Sequence, residues 1–530
     1  MASGRLQASG AGLQASRLAG LNSSILGMML FAILGILTVF SPSCSPEPDP
    51  GTLVMVIESS PTNLDPRVGL DAFSERIDEL LFDSLVHRDA HFDLQPWLAE
   101  RWETPDPLTW IFHLRRGVHF HDGRALTARD VKWTFDSLLQ GKLRSTKAAS
   151  YKYVDTVEAA DDATVIFHLK EPFSTLLWNL SDGAIGIVPY GALDELAQKP
   201  VGSGPFRFVS AAQDKEVVIE RNPDYWSDPP KLARVRLTVI PDMTTRVLEL
   251  RKGSADIVAN ALSADMVRSV QNEPGLAVES EPGSVYQYLA LNVRDPLLSD
   301  VRVRQALAYA IDRKPLIEYL WRGQARPANS VLPPQSWAYD GEGGEYAFDP
   351  ARARALLDAA GYPVKNGVRF HLTIKTSTEE TSRLLGAVLQ QQLRDVGIAL
   401  EIRSFEFGTF FSDVTHGAFQ MYPLRWIGGN QDPEIFEYAF HSSKFSPAGA
   451  NRSHYSNPLV DTLIDGARRE TDQAKRKALY AEVQHVLDRD LPYIHLWYFD
   501  NVLVHTRRVK GLELNPSGNF DFLKKAELER

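Results

Sequence analysis

One cysteine, Cys44, is present in 530 residues, so no disulfide can join distant parts of this chain. Whatever it folds into must be held by apolar cores and hydrogen bonds. A single core is not enough, because such cores stop growing at roughly 250–300 residues. Two or three lobes are expected. Hydrophobic residues make up 44% of the chain and charged residues 23%, the mix of an ordinary globular protein. The net charge of -10 argues against nucleic-acid binding, which needs a basic face. It also gives no attraction to anionic lipid and fits a soluble monomer.

The position of that cysteine is informative. Arg5 and Arg17 are the only charged residues before Glu47. A continuous apolar run covers residues 25–40, and Ser41-Pro42-Ser43-Cys44 follows. A charged end, an apolar stretch and a small-residue cleavage region make a signal peptide. The run is shorter than the roughly 20 residues of a bilayer span. Cys44 resembles the lipid-acceptor cysteine of bacterial lipoproteins, with Ser41 where that pattern has Leu. The resemblance implies removal of residues 1–43, a tether over 44–50, and a membrane anchor through a lipid at the new N-terminus. Ordinary cleavage nearby and an uncleaved anchor are the alternatives. The 24 residues ahead of the run are long for a leader, which points to a start downstream of Met1.

Helix and strand signals alternate after the tether, giving mixed α/β lobes rather than repeats. Leu53-Val54-Met55-Val56-Ile57, Trp110-Ile111-Phe112-His113-Leu114 and Thr164-Val165-Ile166-Phe167-His168-Leu169 read as strands. Thr127-Ala128-Arg129-Asp130 has the form of a capping box with Asp as its acid, ahead of an apolar face of Val131, Phe135, Leu138 and Leu139. Asp349-Pro350 supplies an N-cap and a first-turn proline, and Gly361 a stop. Leu384, Leu385, Val388, Leu389, Leu393 and Val396 fall on one helical face. Gly397 breaks that helix, and Ile398, Leu400 and Ile402 alternate as a strand.

Enzyme signatures are missing. No phosphate loop, Gly-x-Ser-x-Gly elbow or His-Glu-x-x-His helix is present, and no cofactor is expected. His113, His119 and His121 form the densest polar cluster. Two of them lie two apart and would share a strand face, but a solvated strand entering the Asp122-Gly123 turn is the favoured reading, and no metal site is assigned. An exported carbohydrate-active hydrolase is the alternative class.

Three ordered blocks carry a wider resemblance. The first contains Phe82-Asp83-Ser84-Leu85-Val86, Leu98-Ala99-Glu100-Arg101-Trp102-Glu103, the strand from Trp110 on to Gly117 and Asp122-Gly123, and Leu126-Thr127-Ala128-Arg129-Asp130-Val131. The second is Pro200-Val201-Gly202-Ser203-Gly204-Pro205-Phe206 with Glu220-Arg221-Asn222-Pro223-Asp224-Tyr225-Trp226. The third runs from Asp300-Val301-Arg302 to Asp312-Arg313. Together they resemble the family 5 extracellular solute-binding proteins, the dipeptide, oligopeptide and nickel-binding components of ABC importers.

The resemblance covers about residues 51–522. It implies an α/β bilobal periplasmic-binding-protein fold of type II, with a hinge and an extra inserted domain. Mapped onto this chain, lobe I takes 51–85, 200–288 and 496–530, the inserted domain 86–199, and lobe III 289–495. It also implies ABC permease subunits as partners, a periplasmic or cell-surface location, and a ligand enclosed between lobes. Most motif residues are expected to be structural.

In peptide-binding members, lobe III supplies an aromatic before a helix, then a Trp, then three residues later an Asp that pairs with the ligand's ammonium. The matching positions are Phe407, Trp426 and Gly429, so that carboxylate is missing and peptide specificity is in doubt. Arg425, Gly428 and Asn430 are further ligand candidates in the same stretch. Asp432 is a candidate too, although Asp-Pro more often caps a helix. Gly69, Tyr286 and Tyr151 are the candidates from the rest of the chain, and core packing is the competing reading for each aromatic. No Met or His chelating set favours nickel. A small solute without an obligatory free α-amino group is expected, such as a modified peptide, an opine-like compound or a sugar.

Overall fold

The computed structural model describes residues 51–181, 183, 185–343, 346–428 and 431–529. The leader, Cys44 and the tether lie outside the described residues, as do Gly429 and Asn430.

Two long strands organise the molecule. Leu276–Leu291 and Tyr493–Thr506 run antiparallel to each other through the middle of an eleven-stranded sheet. On one side the order continues through Ile257–Ala259, Thr52–Ile57, Arg234–Val239, Glu216–Arg221 and Phe206–Ala212. On the other it continues through Met421–Trp426, Phe370–Ser377 and Ile398–Phe405, with Ala325–Pro327 paired separately on Tyr493–Thr506. Each end carries a core on both faces. Leu53, Met55 and Ile57 enter one core and Val56 the opposite one. Covered faces explain why Thr52–Ile57 reads as an unbroken apolar run instead of an alternation. At the other end Leu289 and Leu291 face one core while Tyr286, Tyr288 and Ala290 face the other. The result is the bilobal α/β fold with its hinge in the shared strands.

Those strands lose register where they pass between the lobes. Pro282 pairs with Asp500 and Tyr286 with Tyr498, so three residues face one. Gly283 lies in this irregular stretch, where a Cβ would stand 2.5 Å from the Phe499 carbonyl oxygen. No side chain larger than hydrogen fits without moving backbone.

A separate core belongs to the inserted segment. Ala99–Asp106, Thr109–Leu114, Thr164–Leu169 and Val154–Asp161 form a four-stranded antiparallel sheet covered by the helix Ala128–Leu139. Asp130 Oδ2 accepts from the Thr127 amide at 2.8 Å, closing that helix start as expected. Asp349 caps Pro350–Ala359 by accepting from the Arg352 amide. Helix Glu380–Arg394 buries Leu385, Leu389 and Leu393, and Gly397 has φ +87° before strand Ile398–Phe405. Leu384, expected on the buried face, is 45% exposed, because it falls at the edge of the stripe.

The recurring motifs meet at one buried carboxylate. Asp83 accepts from Trp97 Nε1 (2.8 Å), Ser203 Oγ (2.8 Å), Tyr225 Oη (3.0 Å) and Trp226 Nε1 (3.0 Å). His121 Nε2 lies 3.0 Å from the Gly204 carbonyl, and its Nδ1 accepts from the Gly202 amide. Burial lowers this imidazole to a pKa of about 4, so it is neutral. His113 instead pairs with Glu103 at 2.8 Å. His113 and His121 thus serve separate structural contacts, His119 is exposed, and no group of three metal-ligating side chains converges among the described residues.

Candidate functional site

The sequence turns sharply after strand Met421–Trp426, and that turn supplies one wall of a cavity of about 430 Å³. Trp426, Asp432, Glu434, Ile435 and Tyr438 line this wall. Ser150, Lys152, Tyr153, Phe173, Thr175 and Trp178 of the inserted segment line the other. The cavity is therefore bounded by two cores that come from different parts of the chain. Its aromatic walls and few converging polar groups are the usual makeup of a small-molecule site. A groove of about 470 Å³ beside Ser60, Asn63, Gln198 and Gln213 is lined by lobe I and the end of the inserted segment, and carries no aromatic residue.

Polar contacts bridge the walls. Ser174 Oγ donates to the Arg468 carbonyl at 2.9 Å, and Thr175 Oγ1 donates to Glu434 Oε2 at 3.1 Å. Arg468 Nε donates to both Glu434 oxygens at 2.9 and 3.1 Å, and its Nη2 lies 2.8 Å from Oε1. Burial pushes the Glu434 carboxyl up to about 7 against the pull of Arg468. Burial also raises Asp432. Asp432 Oδ1 accepts from the Glu434 amide at 2.8 Å, a local turn bond; the N-cap of the following helix Ile435–Phe440 is Glu434, not the expected Asp432. Gln431, buried between these groups, donates to Ser284 Oγ in the hinge and accepts from Arg88.

The expected aromatics of lobe III are brought together through an intermediary. Phe407 begins helix Phe407–Thr415, is 55% exposed and stacks on Phe411 at 5.9 Å. Arg452 lies 5.1 Å over Phe411 and 6.0 Å over Trp426, joining the two aromatics. No sequence pattern marked Arg452; its isolation from acidic neighbours in Ala450-Asn451-Arg452-Ser453 was the only available signal.

Other expectations are corrected. Arg425 precedes Trp426 on one strand, so alternation sends it to the opposite face. There its Nε donates to Gln287 Oε1 and its guanidinium covers Trp321 and Phe499. Tyr286 is fully buried, with its hydroxyl against His495 Nδ1. Tyr151 is buried in the inserted core, donating to the Asn179 carbonyl, while its neighbours Ser150, Lys152 and Tyr153 reach the cavity. Gly69 packs against Asn63 and Ser74 at the start of helix Ala72–Leu81 and is absent from the cavity wall. Its need is close backbone approach. Gly428 adopts φ +78°, a turn conformation that favours glycine.

A model of the bacterial extracellular solute-binding proteins, family 5, matches residues 93–447. A glutathione-binding protein of Pectobacterium atrosepticum is 30% identical over 482 residues, covering 88% of this chain and 93% of its own. The dipeptide-binding protein of Escherichia coli K12 is 28% identical over 506 residues, covering 89% and 94%. Among solved structures, NikA from Brucella suis in complex with Fe(III)-EDTA is similar at a TM-score of 0.80 and 26% identity, covering 90% of this chain and 100% of that one.

Proposed function

This chain belongs to family 5 of the bacterial extracellular solute-binding proteins, and from that premise we propose how it captures its ligand and what the ligand lacks. It is the substrate-binding component of an ABC importer, acting outside the membrane and delivering solute to permease subunits. The ligand sits in the cavity between Trp426 and Trp178, held by aromatic faces and a few polar groups. It is a small solute with no requirement for a free α-amino group. Peptide-like solutes are the broad default, since glutathione and dipeptides are named for two of the relatives. The exported hydrolase has no support among these relatives. Tethering through a lipid on Cys44 and a monomeric state complete the reading.

The cavity walled by Trp426 is the observation that carries this proposal. Gly429 stands where peptide-binding members have their ammonium-pairing Asp, which supports a ligand without that charge. Thermal-shift screening of the mature protein checks it. N-blocked peptides or sugars are expected to raise Tm, and Trp426→Ala to weaken the best ligand by about tenfold or more, given roughly 1.5–3 kcal/mol for a buried large side chain. Strong stabilisation by free dipeptides alone would refute the absence of an amine requirement.

A further inference from the structure

Five hydrogen-bond donors beside the cavity make no well-formed hydrogen bond. Trp426 Nε1, Arg452 Nε and the hydroxyls of Tyr288, Tyr422 and Tyr493 are all buried without a hydrogen-bond partner. They are neighbours. Tyr288 stacks on Tyr493 at 4.2 Å and on Trp426 at 6.2 Å, lies 6.2 Å from Tyr422, and Arg452 covers Trp426. The three tyrosines are at most 1% exposed. A phenol can accept as well as donate, and the Tyr422 hydroxyl interacts with Tyr288, Tyr493 and Arg452, but none of these contacts has the geometry of a well-formed hydrogen bond.

Arg452 sharpens the point. The groups that act on it most strongly are Tyr422, Tyr288, Tyr493 and Tyr438, and no carboxylate ranks among these. Burial holds the phenols in their protonated form, raising Tyr288, Tyr422 and Tyr493 alike, so they supply no negative charge. Ordered water would satisfy a neutral hydroxyl. Arg452 is half-buried, with its Nε sealed from solvent; water does not neutralise its charge, and charges drawn into a protein are usually paired.

We infer that Arg452, with the Tyr288, Tyr422 and Trp426 donors around it, receives the carboxylate of the transported solute. This deepens the proposed capture of a small solute and rests on it. A planar guanidinium fork matches a carboxylate in two parallel hydrogen bonds. The two flanking rings, Phe411 and Trp426, would cover the apolar part next to that group. At this wall the site therefore selects an acid, in place of the ammonium selected by an Asp at position 429.

The test uses the mature protein and matched acid and amide probes: hippurate with hippuramide, and N-acetylphenylalanine with its amide, alongside free Gly-Phe and a set of neutral sugars. Thermal shift and calorimetry are expected to show the acids binding at least tenfold more tightly than the amides. Arg452→Met is expected to abolish that preference, and Arg452→Lys, which keeps the charge but not the fork, to reduce it. The lysine variant carries the test if the methionine variant does not fold. Acids and amides binding alike, or a preference unchanged in both variants, would overturn the role of Arg452 while leaving solute capture in place. A wild-type protein that responds to no member of the set overturns both.

Discussion

At the scale of single residues, burial decides roles that residue type leaves open. Tyr286 and Trp426 pair across adjacent strands, yet one is sealed in the lobe and the other lines the cavity. Asp78 is a different case. Its two carboxylate oxygens are buried without partners in a small pocket with Glu75, Glu79 and Lys147. Burial raises its pKa well above the ordinary value, and Lys147 offsets only part of that. The folded state thus holds this proton more tightly than the unfolded chain. The stability Asp78 confers is fully present below the unfolded pKa of about 3.9 and lost as pH rises through the folded value. Asp78→Asn is expected to raise Tm at pH 7 by roughly 1–3 °C, with the gain shrinking toward pH 4. Melting curves of both proteins across that range check it, and a lower Tm at pH 7 would mean that the carboxylate is needed ionised.

At the scale of elements, sequence patterns were dependable where the period was long and the punctuation explicit. Thr164–Leu169 and the Glu380–Arg394 helix followed by Ile398–Phe405 appear where alternation and Gly397 put them. Alternation also contained the answer for Arg425, whose neighbour Trp426 could share no face with it. The hinge was not legible, because it depends on what lies opposite. Gly283 is ordinary in sequence, and only pairing with Tyr493–Thr506 sets the Phe499 carbonyl against it. Gly283→Val is expected to destabilise the protein by about 1–3 kcal/mol, the usual range for overpacking, and to weaken solute affinity. Denaturant unfolding and calorimetry would show it, and a neutral result would mean that the crossing is slack.

At the scale of the whole molecule, closure joins two lobes linked through a pair of long strands, so ligand must favour the closed arrangement to hold it. The Ser174, Thr175, Glu434 and Arg468 contacts cross the cavity and are where such preference would be expressed. The proposed tether is tested at this scale too: Cys44→Ser is expected to move the protein from the membrane to the soluble fraction in a bacterial host, and unchanged fractionation would argue for another anchor. The sequence by itself determined the α/β alternation and the family, and it carries the proposed export signal, because each is written in local order: a period, motifs in succession, or an apolar run. It also pointed to Trp426 and to the missing carboxylate at Gly429. Only the tertiary structure decided that Asp83 gathers the motifs, that Tyr151 and Tyr286 are core, and that Arg452 stands among buried phenols with no carboxylate bonded to it. Burial and hydrogen-bond satisfaction depend on residues hundreds of positions apart, and no local pattern records which of them meet.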